Sequence, residues 1–157
     1  MLSHIRQGAT LDLLDKIGVR PGMSCLDVGC GGSEVSRELA SRVVGLGMDS
    51  AQLEIVRTEA IAKKFLNIDY RGADAAAPPS SLGRFDVVCA RFLLCHLKSP
   101  FETLSRMVSC RKPSGVLAIE DCDFSGHFRH PFSLAFDRYG ELTVEVMRRR
   151  GGDPYIG

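Results

Sequence analysis

The most constraining feature is a short apolar run that ends in an acid and breaks into glycines: Ser24-Cys25-Leu26-Asp27-Val28-Gly29-Cys30-Gly31-Gly32. A buried strand that runs straight into glycines and then a helical segment, Glu34–Ser41, forms a strand–loop–helix unit. Glycine lets a backbone approach a ligand closely, and a helix N-terminus offers free N–H groups. In open α/β sheets, ligands bind at the carboxyl ends of the strands, where this loop lies. The loop is therefore expected to hold a ligand.

The rest of the chain repeats the alternation. A helix is expected over residues 3–17, ending at Gly18 and Pro21. Strands are expected at Val43–Leu46, Asn67–Arg71, Phe85–Cys89 and Val116–Glu120, the last after a turn at Pro113-Ser114-Gly115. Asp49-x-x-Gln52 has the form of a capping box and predicts a helix to about Phe65, with Leu53, Val56 and Ala60 on one face. Ser99-Pro100-Phe101-Glu102 predicts another, capped by Ser99, with Phe101, Leu104 and Val108 facing one side. A last helix is expected over about 132–150, with Phe132, Phe136, Tyr139 and Val146 on one side. Apolar strands separated by amphipathic helices predict one α/β domain, residues 1–157, with a doubly wound, mostly parallel sheet.

Composition removes several classes of function. The net charge of +1 gives no general pull toward nucleic acid or anionic lipid. Arg148-Arg149-Arg150 is the one basic run, and it suits the C-terminal end of a helix. No apolar run approaches the ~20 residues of a membrane helix, and the N-terminus has no signal-peptide core. The six cysteines form no Cys-x-x-Cys pair and no metal-spaced set with histidine, which predicts a reduced, cytoplasmic protein without a structural metal.

The ligand class follows from what the loop lacks. A dinucleotide fingerprint needs glycine at 34, where Glu34 stands and would repel a pyrophosphate. No Gly-Lys-Ser/Thr follows, so a phosphate-binding P-loop is absent too. A nucleoside without a phosphate chain fits best.

Leu26-Asp27-Val28-Gly29-Cys30-Gly31, continuing through Glu34–Ala40, resembles the first motif of the class I, Rossmann-like methyltransferases that use S-adenosylmethionine. Val43-Val44-Gly45 resembles the second strand, and Asp74 stands where the family places an acid after the third. Phe85–Arg91 resembles the fourth-strand motif. Lys112-Pro113-Ser114-Gly115-Val116-Leu117 resembles the turn before the fifth. The resemblance implies an enzyme that transfers a methyl group to a small-molecule acceptor. It implies that Asp27, Gly29, Cys30 and Gly31 hold the methionine part of the cofactor. Asp74 would meet the adenine amino group, and Met48, Ala73, Ala75 and Arg91 would line the pocket.

The sequence departs from the family at three places. Ser33 occupies the third glycine position. The acid that grips the ribose hydroxyls is Gly47 here, which makes Asp49 the nearest substitute. Family members usually add a helix and an antiparallel hairpin after the segment that ends here. The resemblance thus implies about five strands with an open edge, and predicts a homodimer or marginal stability. Gly47 and the short chain also raise a rival reading, a non-catalytic protein with weak or no cofactor binding. No catalytic base is singled out: His96, Glu120, Asp121, His127 and His130 are candidates, and Phe92, Phe124, Phe128 and Phe132 are candidates for an apolar acceptor site.

Overall fold

The structure, a computed structural model, describes residues 12–31, 42–126 and 128–157. The expected helix at Glu34–Ser41, Ser33, His127 and residues 3–11 of the first expected helix lie outside the described residues. Residues 12–16 are helical.

The strands are β1 (Ser24–Val28), β2 (Arg42–Gly47), β3 (Ile68–Gly72), β4 (Phe85–Arg91) and β5 (Arg111–Glu120). The helices are α1 (Ser50–Ala62), α2 (Pro100–Ser109) and α3 (Leu134–Arg149). The strands form one sheet in the order β3-β2-β1-β4-β5, with every pairing parallel. This is the doubly wound architecture that the alternation of strands and helices predicts. The chain order reverses beside β1, so the carboxyl end of β1 faces a crevice between the two halves.

The middle strands are apolar along their length because helices and loops cover the sheet. Leu26, Val28, Val44, Leu46, Phe85 and Val88 lie in one buried cluster, closed by Met107 and Cys110. A second cluster sets Cys30 and Tyr70 against Leu53, Val56 and Ala60 of α1, the face the sequence predicts. The Asp49 carboxylate caps α1, accepting from the amides of Ala51 (2.9 Å) and Gln52 (3.1 Å) through one oxygen, Oδ1. The helix ends at Ala62 rather than Phe65, because Lys64 takes a positive φ of 61°.

Five further expectations are corrected. β4 runs on to Arg91 because β5 keeps pairing with it, Ala90 beside Ile119 and Arg91 beside Glu120. β5 starts at Arg111 rather than Val116. The register slips instead of turning: Phe85 pairs with Arg111, and Val87 with Val116. Asp86 alone thus faces four residues of β5, and a Cβ at Gly115 would sit 2.7 Å from its carbonyl oxygen. Ser99 stands at the N-cap of α2 but makes no side-chain capping bond. Thr103 and Met107 are the buried positions of α2, while Phe101 is 77% exposed. Two apolar lines run along α2, and the one that carries Met107 fits beside Phe85. In α3 only Met147 is buried. Gly140, Thr143 and Val144 are half-buried beside it, while Tyr139 is 66% and Val146 47% exposed.

The slip between β4 and β5 is pinned by one carboxylate. Asp86 accepts from the Ser24 amide and hydroxyl, both at 2.8 Å, and from Lys112 Nζ at 2.8 and 2.9 Å. The Lys112 ammonium, followed by the two Ser24 groups, lowers its pKa from 3.8 to about 2. A lowered folded-state pKa means that this contribution is complete above pH 4 and is lost as the pH falls toward 2. The shift corresponds to at most about 2 kcal/mol. Urea unfolding between pH 5 and pH 2 should therefore show a stability slope in that window which flattens in Asp86→Asn.

Candidate functional site

The carboxyl ends of β1 and β2 and the segment after β3 border a cleft of about 270 Å³. That places it just below the usual range for small-molecule sites, roughly 300–1,000 Å³. Its floor and rim are Gly29, Gly31, Leu46, Gly47, Met48 and Asp49. Gln52 and Leu53 come from α1, Ala73 and Ala75 from the loop after β3, and Leu93 and Leu97 from beyond β4.

The glycines are needed at this cleft for two reasons. Gly29 and Gly31 have positive φ, 74° and 39°. A Cβ on Gly29 would also stand 2.9 Å from Leu93 Cδ1. The amides of Gly29 and Cys30 both donate to the Leu46 carbonyl at 2.9 Å, so β2 fixes the loop. Those two N–H groups are therefore taken, and the loop presents its remaining backbone atoms and bare Cα faces to the cleft.

The sequence-predicted residues divide into two groups. Gly29, Gly31, Met48, Asp49, Ala73 and Ala75 come together around the cleft. Asp27, Cys30, Asp74 and Arg91 are not among its lining residues. Asp27 is only 4% exposed at the end of β1, where the Cys89 thiol approaches its Oδ1 at 3.9 Å. The Cys30 side chain is buried in the cluster with α1. Asp74 Oδ1 accepts from the Ala76 amide at 2.9 Å and so closes the turn that places Ala73 and Ala75. Arg91, the last residue of β4, lies with its guanidinium 5.5 Å from the centre of the Phe92 ring.

Leu93 and Leu97, two of the apolar walls, escape sequence reasoning. They flank the short 3-10 turn Leu94–His96, and Phe92 enters it with a φ of 53°. Asp121, at the end of β5, holds that turn by accepting from the amides of Leu94 (2.7 Å) and Cys95 (3.4 Å). It also accepts from the Cys122 amide at 2.9 Å, so among the proposed bases it is engaged in positioning backbone. Burial, then the neighbouring Asp121, pushes the Cys95 thiol up to about 12, which keeps it protonated. An acid just after the end of β5 was the available sign that the loop opposite needs an anchor.

The candidate acceptor residues do not converge. Phe128 and Phe132 are 89% and 71% exposed, and Phe124 lines a separate open cavity against α3. His96 lines a groove beside α3, and His130 is exposed. Among the described residues, no three His, Cys, Asp or Glu side chains are grouped to hold a metal ion, and no helix is long and apolar enough to cross a membrane.

A family model described as a methyltransferase domain matches residues 2–144. A ubiquinone biosynthesis O-methyltransferase from Hahella chejuensis is 33% identical over 148 residues, covering 90% of this chain and 58% of the relative. The chain thus spans somewhat under three-fifths of that relative's length. A crystal structure of a protein from Bacillus halodurans C-125 superposes with a TM-score of 0.70 at 23% identity, covering 90% of this chain and 60% of the other, and supports the fold alone. Coclaurine N-methyltransferase, solved with N-methylheliamine and SAH, gives a TM-score of 0.63 at 26% identity, covering 74% of this chain and 36% of the other.

Proposed function

Because this chain belongs to the methyltransferase-domain family, we propose that its glycine-edged cleft holds S-adenosylmethionine for methyl transfer to a small-molecule acceptor. The observation that carries this reading is the cleft itself. It lies at the carboxyl ends of β1 and β2, where three lining positions are glycine and the facing walls are Ala73, Ala75, Leu93 and Leu97. Bare glycines admit a ligand closely, and small apolar walls suit the faces of a nucleoside base.

The cofactor supplies a methyl group already activated on a sulfonium, so the chain's own part is positioning and exclusion of water. Gly29 and Gly31 give backbone approach to its amino-acid part. Asp27, at the end of β1, sets a negative charge beneath that loop. Met48, Ala73, Ala75 and Leu97 wall the base. Asp74 shapes the wall through its turn, and its exposed carboxylate stands beside the rim for an amino group. Cys30 supports the loop from outside the cleft, and Arg91 at the end of β4 stands beside the Phe92 ring. Among the described residues, Asp49 is the only carboxylate lining the cleft, and it is our candidate for the ribose hydroxyls. Its Oδ1 takes both capping bonds, so Oδ2 is the oxygen placed to serve them. All six thiols are free, and we place the enzyme in a reducing, cytoplasmic compartment.

A second reading, a domain that keeps the fold without gripping the cofactor, is favoured by Gly47 at the position of the ribose acid. Titration calorimetry with S-adenosylhomocysteine separates the two: a saturable heat is expected, and none at high micromolar ligand would sink the cofactor reading for this chain. Gly47→Asp should tighten that binding about tenfold. Its Cβ would lie 3.1 Å from Leu53 Cδ2, so the leucine must yield slightly and a small loss of stability should accompany the gain.

A further inference from the structure

The outward line of α3 carries more apolar surface than a solvent-facing helix needs. Ala135, Tyr139, Leu142 and Val146 follow the spacing of four, three and four that makes a single helical seam. Tyr139 is 66% exposed, and Leu142 and Val146 are nearly half exposed. Beside the seam runs a groove of about 440 Å³, lined by His96, Tyr139, Leu142, Thr143, Val146 and Met147, with Arg150 also in its lining. The seam thus presents a large knob and a hollow side by side, an arrangement that is complementary to itself after a two-fold rotation.

The charges beside the seam match in the same sense. Arg138 and Glu145 flank it on one side, seven residues apart. Each is exposed and, among the described residues, bonded along its own helix, Arg138 to Glu141 at 3.0 Å and Glu145 to Arg149. When two such helices lie antiparallel, Tyr139 of each meets Leu142 of the other, and Ala135 meets Val146. Arg138 of each copy then stands opposite Glu145 of the other, twice over. A parallel pairing would leave Arg138 facing Thr143.

We propose that α3 is a self-association surface, on which a second copy of this chain seats its own α3 antiparallel through Tyr139, Leu142 and Val146, with reciprocal Arg138–Glu145 pairs. One helix pair lies at the low end of stable interfaces, so the dimer should be weak, with a dissociation constant of roughly micromolar order. The surface is independent of the cofactor cleft, and the inference does not rest on the activity.

Sedimentation velocity over a concentration series tests it on the chain as it is. The wild type should shift from monomer to dimer, and Leu142→Glu should stay monomeric with an unchanged melting temperature. Arg138→Glu and Glu145→Arg should each weaken the dimer about tenfold by setting like charges opposite one another, and the double exchange should restore it. A wild type that stays monomeric to several hundred micromolar would overturn the proposal, whether an unrelated partner or an apolar ligand covers the face. A dimer indifferent to Leu142→Glu, as one through a sheet edge would be, would overturn it too. So would a double exchange no better than the singles.

Discussion

Asp49→Ser should leave the fold almost untouched and reduce affinity for S-adenosylhomocysteine by roughly a hundredfold. Serine is as good an N-cap as aspartate, so the Ala51 and Gln52 amides keep an acceptor. What serine lacks is the second carboxylate oxygen, the one turned to the cleft in our reading. Asp49→Ala should lose the cap as well, at about 1 kcal/mol of stability. Calorimetry and thermal unfolding of the two variants therefore distinguish a structural aspartate from a binding one. If the serine variant binds like the wild type, Asp49 is a cap and nothing more, and the ribose contact lies elsewhere.

Phe85→Ala should destabilise the domain by about 3–5 kcal/mol, a large share of the roughly 5–15 kcal/mol that holds a domain of this kind together. The ring is fully buried between Leu82, Val88, Met107 and Cys110, and the Arg42 guanidinium lies 5.6 Å from its centre. It also begins β4 at the point where β5 slips, so the cavity would open beside a bulge that a carboxylate must already pin. Urea unfolding measures the loss. A change under 1 kcal/mol would mean that the neighbouring helix collapses freely onto the gap.

The order of elements was legible because glycine, proline and capping residues punctuate apolar runs that are long enough to be read. Strand limits were less so. Nothing local in Lys112–Gly115 says that β4 will accept a slipped register, since that depends on Asp86 reaching both Ser24 and Lys112 from across the sheet. The inward face of α2 was only partly read: Leu104 packs against the core as expected, but Phe101 and Val108 on the same line are exposed, and Thr103 and Met107 are the buried positions. Only the space beside Phe85 decides between them. In the cleft, residues contiguous with the strand ends (Gly29, Gly31, Met48, Asp49, Ala73 and Ala75) could be found from sequence. Leu93 and Leu97 could not, because Asp121 places them from a different strand.

Cys30 carries a consequence for how such chains can vary. Its sulfur lies 3.0 Å from where a Cβ on Gly45 would be and 3.8 Å from one on Gly47, while Tyr70 crowds Gly45 from the other side at 2.9 Å. Loop and neighbouring strand thus share one fixed volume, and a methyl group added to the strand has to be taken from the loop. Gly45→Ala alone should be poorly tolerated, and Cys30→Gly should relieve it in part, the Tyr70 contact remaining. Across a set of homologous chains, side-chain sizes at 30 and 45 should trade against each other. The thiol would then be retained for its bulk rather than for its reactivity.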